Sequence, residues 1–166
     1  AEQGAQKSYG DYQSLLEDDE LDAIYIPLPP SLHAEWTIWS VAAGKHVMCE
    51  KPIVTTLEDL DAVESAAREH GVTVFEAITF LHHPQLQKIR EMISAGQLGN
   101  VELIVCWDAF CLPPEDRDSI RLDPQLAGGA LWDVGVYPNN FVISLADVGP
   151  PVQVWAQQTL ARPIDP

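Results

Sequence analysis

The sequence predicts an α/β protein in which the first two thirds of the chain form a parallel sheet covered by helices. Short apolar runs alternate with longer amphipathic stretches in this part of the chain, and strands that alternate with helices favour a parallel sheet. Prolines and glycines separate these runs, where turns are expected. Apolar residues make up 46% of the 166 residues, which is enough to form a sizeable core.

The composition excludes several classes of protein. The formal charge is −16, from 25 acidic and 9 basic side chains, so the chain is poorly suited to bind nucleic acid or an anionic membrane surface. No apolar run approaches the roughly 20 residues that a membrane-spanning helix needs. The three cysteines are an odd number without metal-site spacing, which favours reduced thiols in a cytoplasmic protein.

Each element of the first unit has a local signal. The predicted strands are residues 22–28, 46–49 and 72–75, and the predicted helices are residues 11–16, 31–43, 57–69 and 84–95. Ser31 and Thr56 are the expected N-caps of the second and third helices, and Gly44 and Gly71 follow their ends. The acidic run 17–20 is expected to be a solvated loop.

The pattern changes after Gly99. Long apolar segments at 100–110 and 151–160 predict two strands, and a helix of about sixteen residues is expected to follow Gly128-Gly129 and end near Ala146. We therefore predict two units, residues 1–98 and 99–166. The second unit has few elements for a closed core, and the chain begins as if in mid-domain, so we expect it to be a fragment.

A charged pair follows the second predicted strand. Glu50-Lys51-Pro52 lies where that strand ends, and ligands of open parallel sheets bind beyond the carboxyl ends of the strands. A lysine at such a rim can have its pKa lowered by burial or by a neighbouring cation. The alternative is a solvent-facing lysine that pairs with a nearby carboxylate.

A second candidate site lies in the segment after Gly129. Asp133 and Tyr137 are four residues apart and would share one helix face. A tyrosine, with an ordinary pKa near ~10, needs a neighbouring cation to act as an acid or base at neutral pH, and Lys51 would supply it. The alternative is a capping aspartate and a core tyrosine. The adjacent His82 and His83 lack further ligands at suitable spacing, so we predict no metal site.

The order and spacing of several motifs resemble the Gfo/Idh/MocA oxidoreductase family, in its branch of glucose–fructose oxidoreductase, D-xylose dehydrogenase and dimeric dihydrodiol dehydrogenase. These motifs are Pro27-Leu28-Pro29, Glu50-Lys51-Pro52, Glu76-Ala77, His83-Pro84-Gln85, residues 120–124 and residues 128–138. The resemblance implies part of an NAD(P)-binding Rossmann domain, followed by part of an α+β substrate and dimerisation domain with an open, largely antiparallel sheet.

The resemblance also implies roles for individual residues. The implied catalytic residues are Lys51, Tyr137 as proton donor and acceptor, and Asp133, which orients the substrate. The implied cofactor-binding residues are Tyr25, Pro29, His33, Glu50, Lys51, Trp132 and Arg121, the last two lining the cleft between the domains. The implied reaction is oxidation of a sugar or vicinal diol with NADP, or with NAD, by a homodimer.

Two features depart from the family pattern. The sequence has no Gly-x-Gly-x-x-Gly turn, which in such domains holds the pyrophosphate, so we expect the first strand, first helix and second strand to lie upstream of Ala1. Leu81 stands where relatives often carry arginine, which affects the expected substrate contacts. These departures leave open the alternative of a non-catalytic nucleotide- or protein-binding member, or of an inactive fragment.

Overall fold

The computed structural model describes residues 4–116, 118–146 and 149–159. Its strands are β1 (Ala23–Ile26), β2 (His46–Cys49) and β3 (Val74–Glu76). Its α-helices are α1 (Tyr12–Leu16), α2 (His33–Ala42), α3 (Leu57–His70), α4 (Pro84–Ser94) and α5 (Val136–Ala146). Short 3₁₀ turns and one π-helical turn, Leu131–Gly135, complete the regular structure of these residues.

The three strands form one parallel sheet in the order β1-β2-β3, which confirms the predicted α/β architecture. The register pairs Ile26 with Cys49 and Cys49 with Glu76, so the three carboxyl ends lie side by side. The residues that follow each strand therefore meet at one edge of the sheet. This edge is where the candidate site is built.

The core lies between the sheet and its helices. Ile26, Val47 and Cys49 are buried against Val41 of α2. Alternate strand residues point to the opposite face, and there Tyr25, Met48 and Phe75 are 52%, 42% and 41% exposed. The helices α2 and α3 thus cover one face of the sheet, and its opposite face carries a row of half-exposed large side chains.

The helix boundaries follow local signals, with one correction. The Thr56 hydroxyl accepts from the Asp59 N–H at 3.1 Å, and Gly71 ends α3 with φ 65°, as predicted. Ser31 is not the N-cap of α2, because a 3₁₀ turn, Pro30–Leu32, precedes the helix and Leu32 is the N-cap. Proline at the first position presets a helical φ and starts the turn one residue early.

The acidic run 17–20 is a largely exposed turn, as predicted, and it also makes contacts that the sequence did not indicate. The Asp18 carboxylate accepts from the Lys7 ammonium at 2.7 Å and from the Tyr9 hydroxyl at 2.5 Å. The buried Lys45 ammonium donates to the main-chain oxygen of Asp18 at 2.8 Å. The partners lie up to 27 residues away in sequence, so a local reading of the acidic run could not identify them.

The second predicted unit contains the π turn and α5, and α4, near the end of the first unit, packs against α5. The π turn and α5 together span 131–146, which agrees with the predicted helix of about sixteen residues. Residues 100–110 and the described part of the other predicted strand, 151–159, are not assigned as strands. A strand is defined by its partner, because its N–H and C=O groups need a neighbouring ladder. The antiparallel sheet stays a prediction.

Among the described residues, no helix is both long and apolar enough to span a lipid bilayer.

Candidate active site

The three strand ends are joined by side-chain hydrogen bonds at the carboxyl edge of the sheet. The Tyr25 hydroxyl, on β1, donates to Glu50 Oε1 at 2.6 Å. The Ile53 N–H, beyond β2, donates to Glu76 Oε1 at 2.9 Å. The two carboxylates therefore link the segments after β1, β2 and β3 into one rim.

Lys51 reaches from this rim to the second unit. Its Nζ donates to the main-chain oxygen of Asp133 and lies 3.1 Å from Asp133 Oδ1. The same Nζ lies 5.1 Å from the centre of the Tyr137 ring. The side chains of Lys51 and Asp133 are only 15% and 18% exposed. The structure thus brings together the three residues that the resemblance implies to be catalytic.

The π-helical turn at Leu131–Gly135 shapes the Asp133 side of this contact. Pro138 has no N–H, so it cannot donate to the carbonyl of Val134 at the α-helical spacing or of Asp133 at the π-helical spacing. The Asp133 carbonyl accepts from Lys51 instead. Pro138, two residues into α5, is the sequence signal that could have indicated an irregular turn here.

Arg121 holds the other oxygen of the same carboxylate. Its Nε lies 2.9 Å from Asp133 Oδ2, and its guanidinium lies 6.0 Å from the centre of the Phe110 ring. Asp133 is therefore bridged by two cations, Lys51 on Oδ1 and Arg121 on Oδ2. The family resemblance implied that Arg121 lines the cleft, but it did not predict the ion pair with Asp133.

Gly128 allows the main chain around Arg121 to lie close to the Gly128-Gly129 backbone. The Gly129 N–H donates to the Arg121 oxygen at 2.8 Å, and the Gly128 N–H donates to the Asp123 oxygen at 2.9 Å. A Cβ on Gly128 would lie 2.5 Å from the main-chain oxygen of Ile120. The absence of a side chain at Gly128 is thus required for the contact between the two segments.

The implied cofactor-binding residues fall into separate environments. Tyr25 and Glu50 lie on the rim, and Pro29 is half-buried immediately before the 3₁₀ turn. Trp132 is half-buried in the π turn, next to Asp133. His33 is only 1% exposed, behind the rim, with both ring nitrogens close to main-chain oxygens. The structure therefore separates His33 from the accessible rim residues.

Two groups at the strand ends have perturbed pKa values. The hydrogen bond to the Glu50 carboxylate raises the pKa of the Tyr25 hydroxyl, because it stabilises the protonated phenol. Burial raises the pKa of the Cys49 thiol to about 12, and the carboxylates of Glu76 and Glu50 act in the same direction. Cys49 is thus a neutral core side chain rather than a nucleophile.

An aromatic cluster beside Tyr137 was not predicted from the sequence. The Phe80 ring centre lies 6.2 Å from that of Tyr137 and 6.3 Å from that of Phe141. Phe80 and Phe141 also line a groove of about 620 Å³, with Leu86 and Ile89. Phe80 is 57 residues from Tyr137 in the chain, so no local pattern links them.

The two adjacent histidines have partners of other kinds. His83 caps α4, its Nδ1 accepting from the Gln85 N–H at 3.1 Å, and the His82 ring lies 5.4 Å from that of Phe75. Among the residues that the structure describes, no group of three or more histidine, cysteine, aspartate or glutamate side chains could hold a metal ion.

The side chains along the rim are of the types that can bind a dinucleotide. The rim carries one cation, Lys51, beside a half-exposed phenol and a half-buried carboxylate. Carboxylates such as Glu50 suit ribose hydroxyls, and the carboxyl edge of a parallel sheet is where such ligands bind. Of the implied cofactor-binding residues, Tyr25, Glu50 and Lys51 lie at this edge, and Pro29 lies in the loop that follows β1.

Comparison with known proteins relates both units to one family. Residues 1–78 match the profile of the Gfo/Idh/MocA oxidoreductase family, NAD-binding Rossmann fold, and residues 86–165 match the profile of the Gfo/Idh/MocA C-terminal domain. The first match ends at residue 78 and the second begins at residue 86. The domain boundary near Gly99 stays a prediction.

Individual relatives agree with this assignment. D-xylose 1-dehydrogenase (NADP(+)) 2 of Haloferax volcanii is 40% identical over 163 residues, which cover 97% of this chain and 48% of that protein. The structure of KijD10, a 3-ketoreductase from Actinomadura kijaniata in complex with NADP and TDP-benzene, has a TM-score of 0.72 at 38% identity, covering 82% of this chain and 41% of that one. Levoglucosan dehydrogenase in complex with NADH and levoglucosan has a TM-score of 0.73 at 28% identity, covering 86% and 39%.

The chain spans less than half the length of these curated relatives. Both profiles, the parallel sheet with its rim, and the meeting of Lys51 with Asp133 and Tyr137 agree on one assignment. The chain belongs to the Gfo/Idh/MocA oxidoreductase family.

Proposed function

We propose that the protein is an NAD(P)-dependent dehydrogenase or reductase that acts on a CH–OH group of a sugar or vicinal diol. The observation that carries the proposal is the contact of Lys51 Nζ with both Asp133 and the Tyr137 ring. A cation, a carboxylate and a phenol that come from two units of the chain form a site able to bind and deprotonate a hydroxyl group.

Tyr137 is the proposed acid and base. During oxidation the Tyr137 oxygen takes the proton of the substrate hydroxyl group, while a hydride leaves the carbon that bears this hydroxyl. The Lys51 ammonium, 5.1 Å from the ring centre, is placed to stabilise negative charge that develops on the substrate oxygen. Nicotinamide, when bound, supplies the hydride acceptor.

Asp133 has two roles in the proposed mechanism. Its carboxylate holds Lys51 through Oδ1 and Arg121 through Oδ2, which fixes the ammonium beside Tyr137. Each carboxylate oxygen has a further lone pair, so Asp133 can also accept from a substrate hydroxyl. Arg121 is placed to orient the carboxylate rather than to react.

The proposed cofactor is NADP, with NAD as the alternative. The relatives support this class of cofactor, since one is named for NADP(+) and others are complexes with NADP or NADH. Substrate candidates are D-xylose, D-glucose and a dihydrodiol. The groove of about 620 Å³ beside Phe80 is within the range of small-molecule sites, ~300–1,000 Å³, and we assign it to the part of the substrate remote from the reacting carbon.

We further propose that the protein acts in the cytoplasm as a homodimer, in which the sheets of the second domains form the contact between the subunits. Strands at 100–110 and 151–160 would belong to that sheet. Exposed apolar side chains stand at every second position of the first segment, at Val101, Leu103, Val105 and Trp107, which supports burial of this face in the assembled protein.

A turnover assay with variants tests the proposal. The purified protein is supplied with each candidate substrate and with NADP⁺ or NAD⁺, and nicotinamide reduction is followed by absorbance. Lys51→Ala and Tyr137→Phe should each reduce kcat by about 10²-fold or more, because each removes part of the proton-transfer site. Lys88→Ala and Tyr9→Phe are matched controls, since Lys88 pairs with Glu91 on α4 and Tyr9 bonds to Asp18, both outside the site.

Near-normal turnover of both site variants would exclude the proposed roles. Binding of NADPH without turnover of any candidate, measured by nucleotide fluorescence, would favour the alternative of a non-catalytic binding module.

A further inference from the structure

His33 occupies a position that no catalytic role explains. It is the first residue of α2 and is 1% exposed. Its Nε2 lies 2.7 Å from the main-chain oxygen of Leu28, beyond β1, and its Nδ1 lies 2.7 Å from that of Pro52, beyond β2. One buried ring therefore touches the two loops that carry Pro29 and Lys51.

The chemistry of these two contacts constrains the ring. Main-chain carbonyl oxygens only accept hydrogen bonds, and a neutral imidazole has one N–H and one lone pair. A neutral ring would thus direct a lone pair at a carbonyl oxygen only 2.7 Å away, which is repulsive. Both contacts are hydrogen bonds only when both ring nitrogens carry a proton.

The two loops need such a connection because they are rich in proline. The ladder between the first two strands reaches the Glu50 N–H, which donates to the Ile26 oxygen at 3.0 Å. Beyond it, prolines at 27, 29, 30 and 52 have no N–H to donate. The His33 ring supplies two donors where the backbone of these loops lacks them.

We propose that His33 is a buried imidazolium that fixes the Lys51–Pro52 backbone to the Leu28–Pro29 loop and so sets the direction of the Lys51 side chain. His33 is a positioning residue in this view, since it acts through Lys51. Its catalytic meaning rests on the proposed function, whereas its protonation and its connection of the two loops do not.

Charged groups surround this connection on each element that carries it. Glu50, Lys51 and Glu76 flank the loop after β2, and Glu35 lies in the first turn of α2. The amino-terminal end of a helix disfavours a cation, so the two carbonyl oxygens against the ring must offset that effect.

Nitrogen NMR of the wild-type chain tests the first part of the proposal without any variant. With ¹⁵N-labelled histidine at neutral pH, the His33 ring should show a proton on both nitrogens, shielded from exchange with water. His82 and His83, which are exposed, are internal controls. A single protonated nitrogen on His33 in the folded chain would overturn the proposal.

Amide hydrogen exchange tests the second part. In His33→Phe, which removes both donors, the Lys51 and Ile53 amides should exchange about tenfold faster or more, because the loop is released locally. His33→Gln, which can keep one donor, should show a smaller increase. Ser40→Ala is the matched control: Ser40 is also 1% exposed on α2, but its hydroxyl bonds only to Trp36 within the helix.

Unchanged exchange at Lys51 and Ile53 in a folded His33→Phe chain would overturn the connection of the loops. If that variant does not fold, His33→Gln and the wild-type spectrum decide the question. None of these measurements uses turnover, so their failure is distinguishable from failure of the proposed enzymatic function.

Discussion

Replacing Gly128 by alanine should destabilise the second unit of the chain and separate Arg121 from Asp133. A Cβ at this position would lie 2.5 Å from the Ile120 oxygen and 2.8 Å from both the carbonyl carbon and the oxygen of Arg121. Side-chain rotation cannot relieve these contacts, because all three atoms belong to the main chain. The 3₁₀ turn Ile120–Leu122 must therefore move away.

The cost follows from what that movement disturbs. Real Cβ contacts are essentially never shorter than 3.0 Å, so the Ile120 oxygen must retreat from 2.5 Å to at least that distance. The movement stretches the hydrogen bonds from Gly129 N–H to the Arg121 oxygen and from Gly128 N–H to the Asp123 oxygen. Weakening two such bonds costs about 1–3 kcal/mol, and overpacking of this kind costs a similar amount.

Urea unfolding followed by tryptophan fluorescence measures this cost, because Trp132 lies in the adjacent π turn. With a slope of about 1–3 kcal/mol per molar urea for small proteins, the midpoint should fall by roughly 1 M. Gly10→Ala is the matched control, since a Cβ there meets nothing within 4 Å, and its midpoint should stay close to that of the wild type. Equal midpoints for the two variants would refute the reasoning.

Two further predictions concern groups outside the site. The Lys7 ammonium and the Tyr9 hydroxyl hold the pKa of Asp18 well below its ordinary value, so this carboxylate stabilises the fold above the unfolded pKa of about 3.9 and loses that contribution as the pH falls further. Asp18→Asn should therefore lower the urea midpoint at neutral pH and lose less stability on acidification; an acid dependence identical to that of the wild type would contradict this. Burial raises the pKa of the Cys49 thiol to about 12, so iodoacetamide at mildly alkaline pH should alkylate the exposed Cys106 and Cys111 and reach Cys49 only after unfolding. Intact-mass measurement counts the adducts, and rapid addition of three groups to the folded chain would show that Cys49 is accessible.

Local signals were sufficient for most elements of the first unit. The short apolar run that predicts β2, the Thr56 cap and the terminal Gly71 all act within a few residues. The sequence also predicted that Lys51 and Tyr137 would meet, on the condition that the two units face each other, and the structure meets that condition. Short-range periodicity and capping are readable because they depend on the chain's own neighbours.

Other features depended on contacts between distant residues. The bridge from Lys51 to Asp133 spans 82 positions, and Arg121 joins it through a turn that closes only because Gly128 has no side chain. The predicted strand at 100–110 is not assigned in the structure, since a long apolar segment does not form a strand without a partner ladder.

The sequence by itself determined the parallel α/β architecture, the family and the residues that could carry out the chemistry. Only the tertiary structure decided how those residues are held: Asp133 between two cations, and His33 behind the rim against two carbonyl oxygens. The physical reason is that residue type and local spacing limit which groups are available, whereas burial and hydrogen-bond partners arise when separate segments pack together.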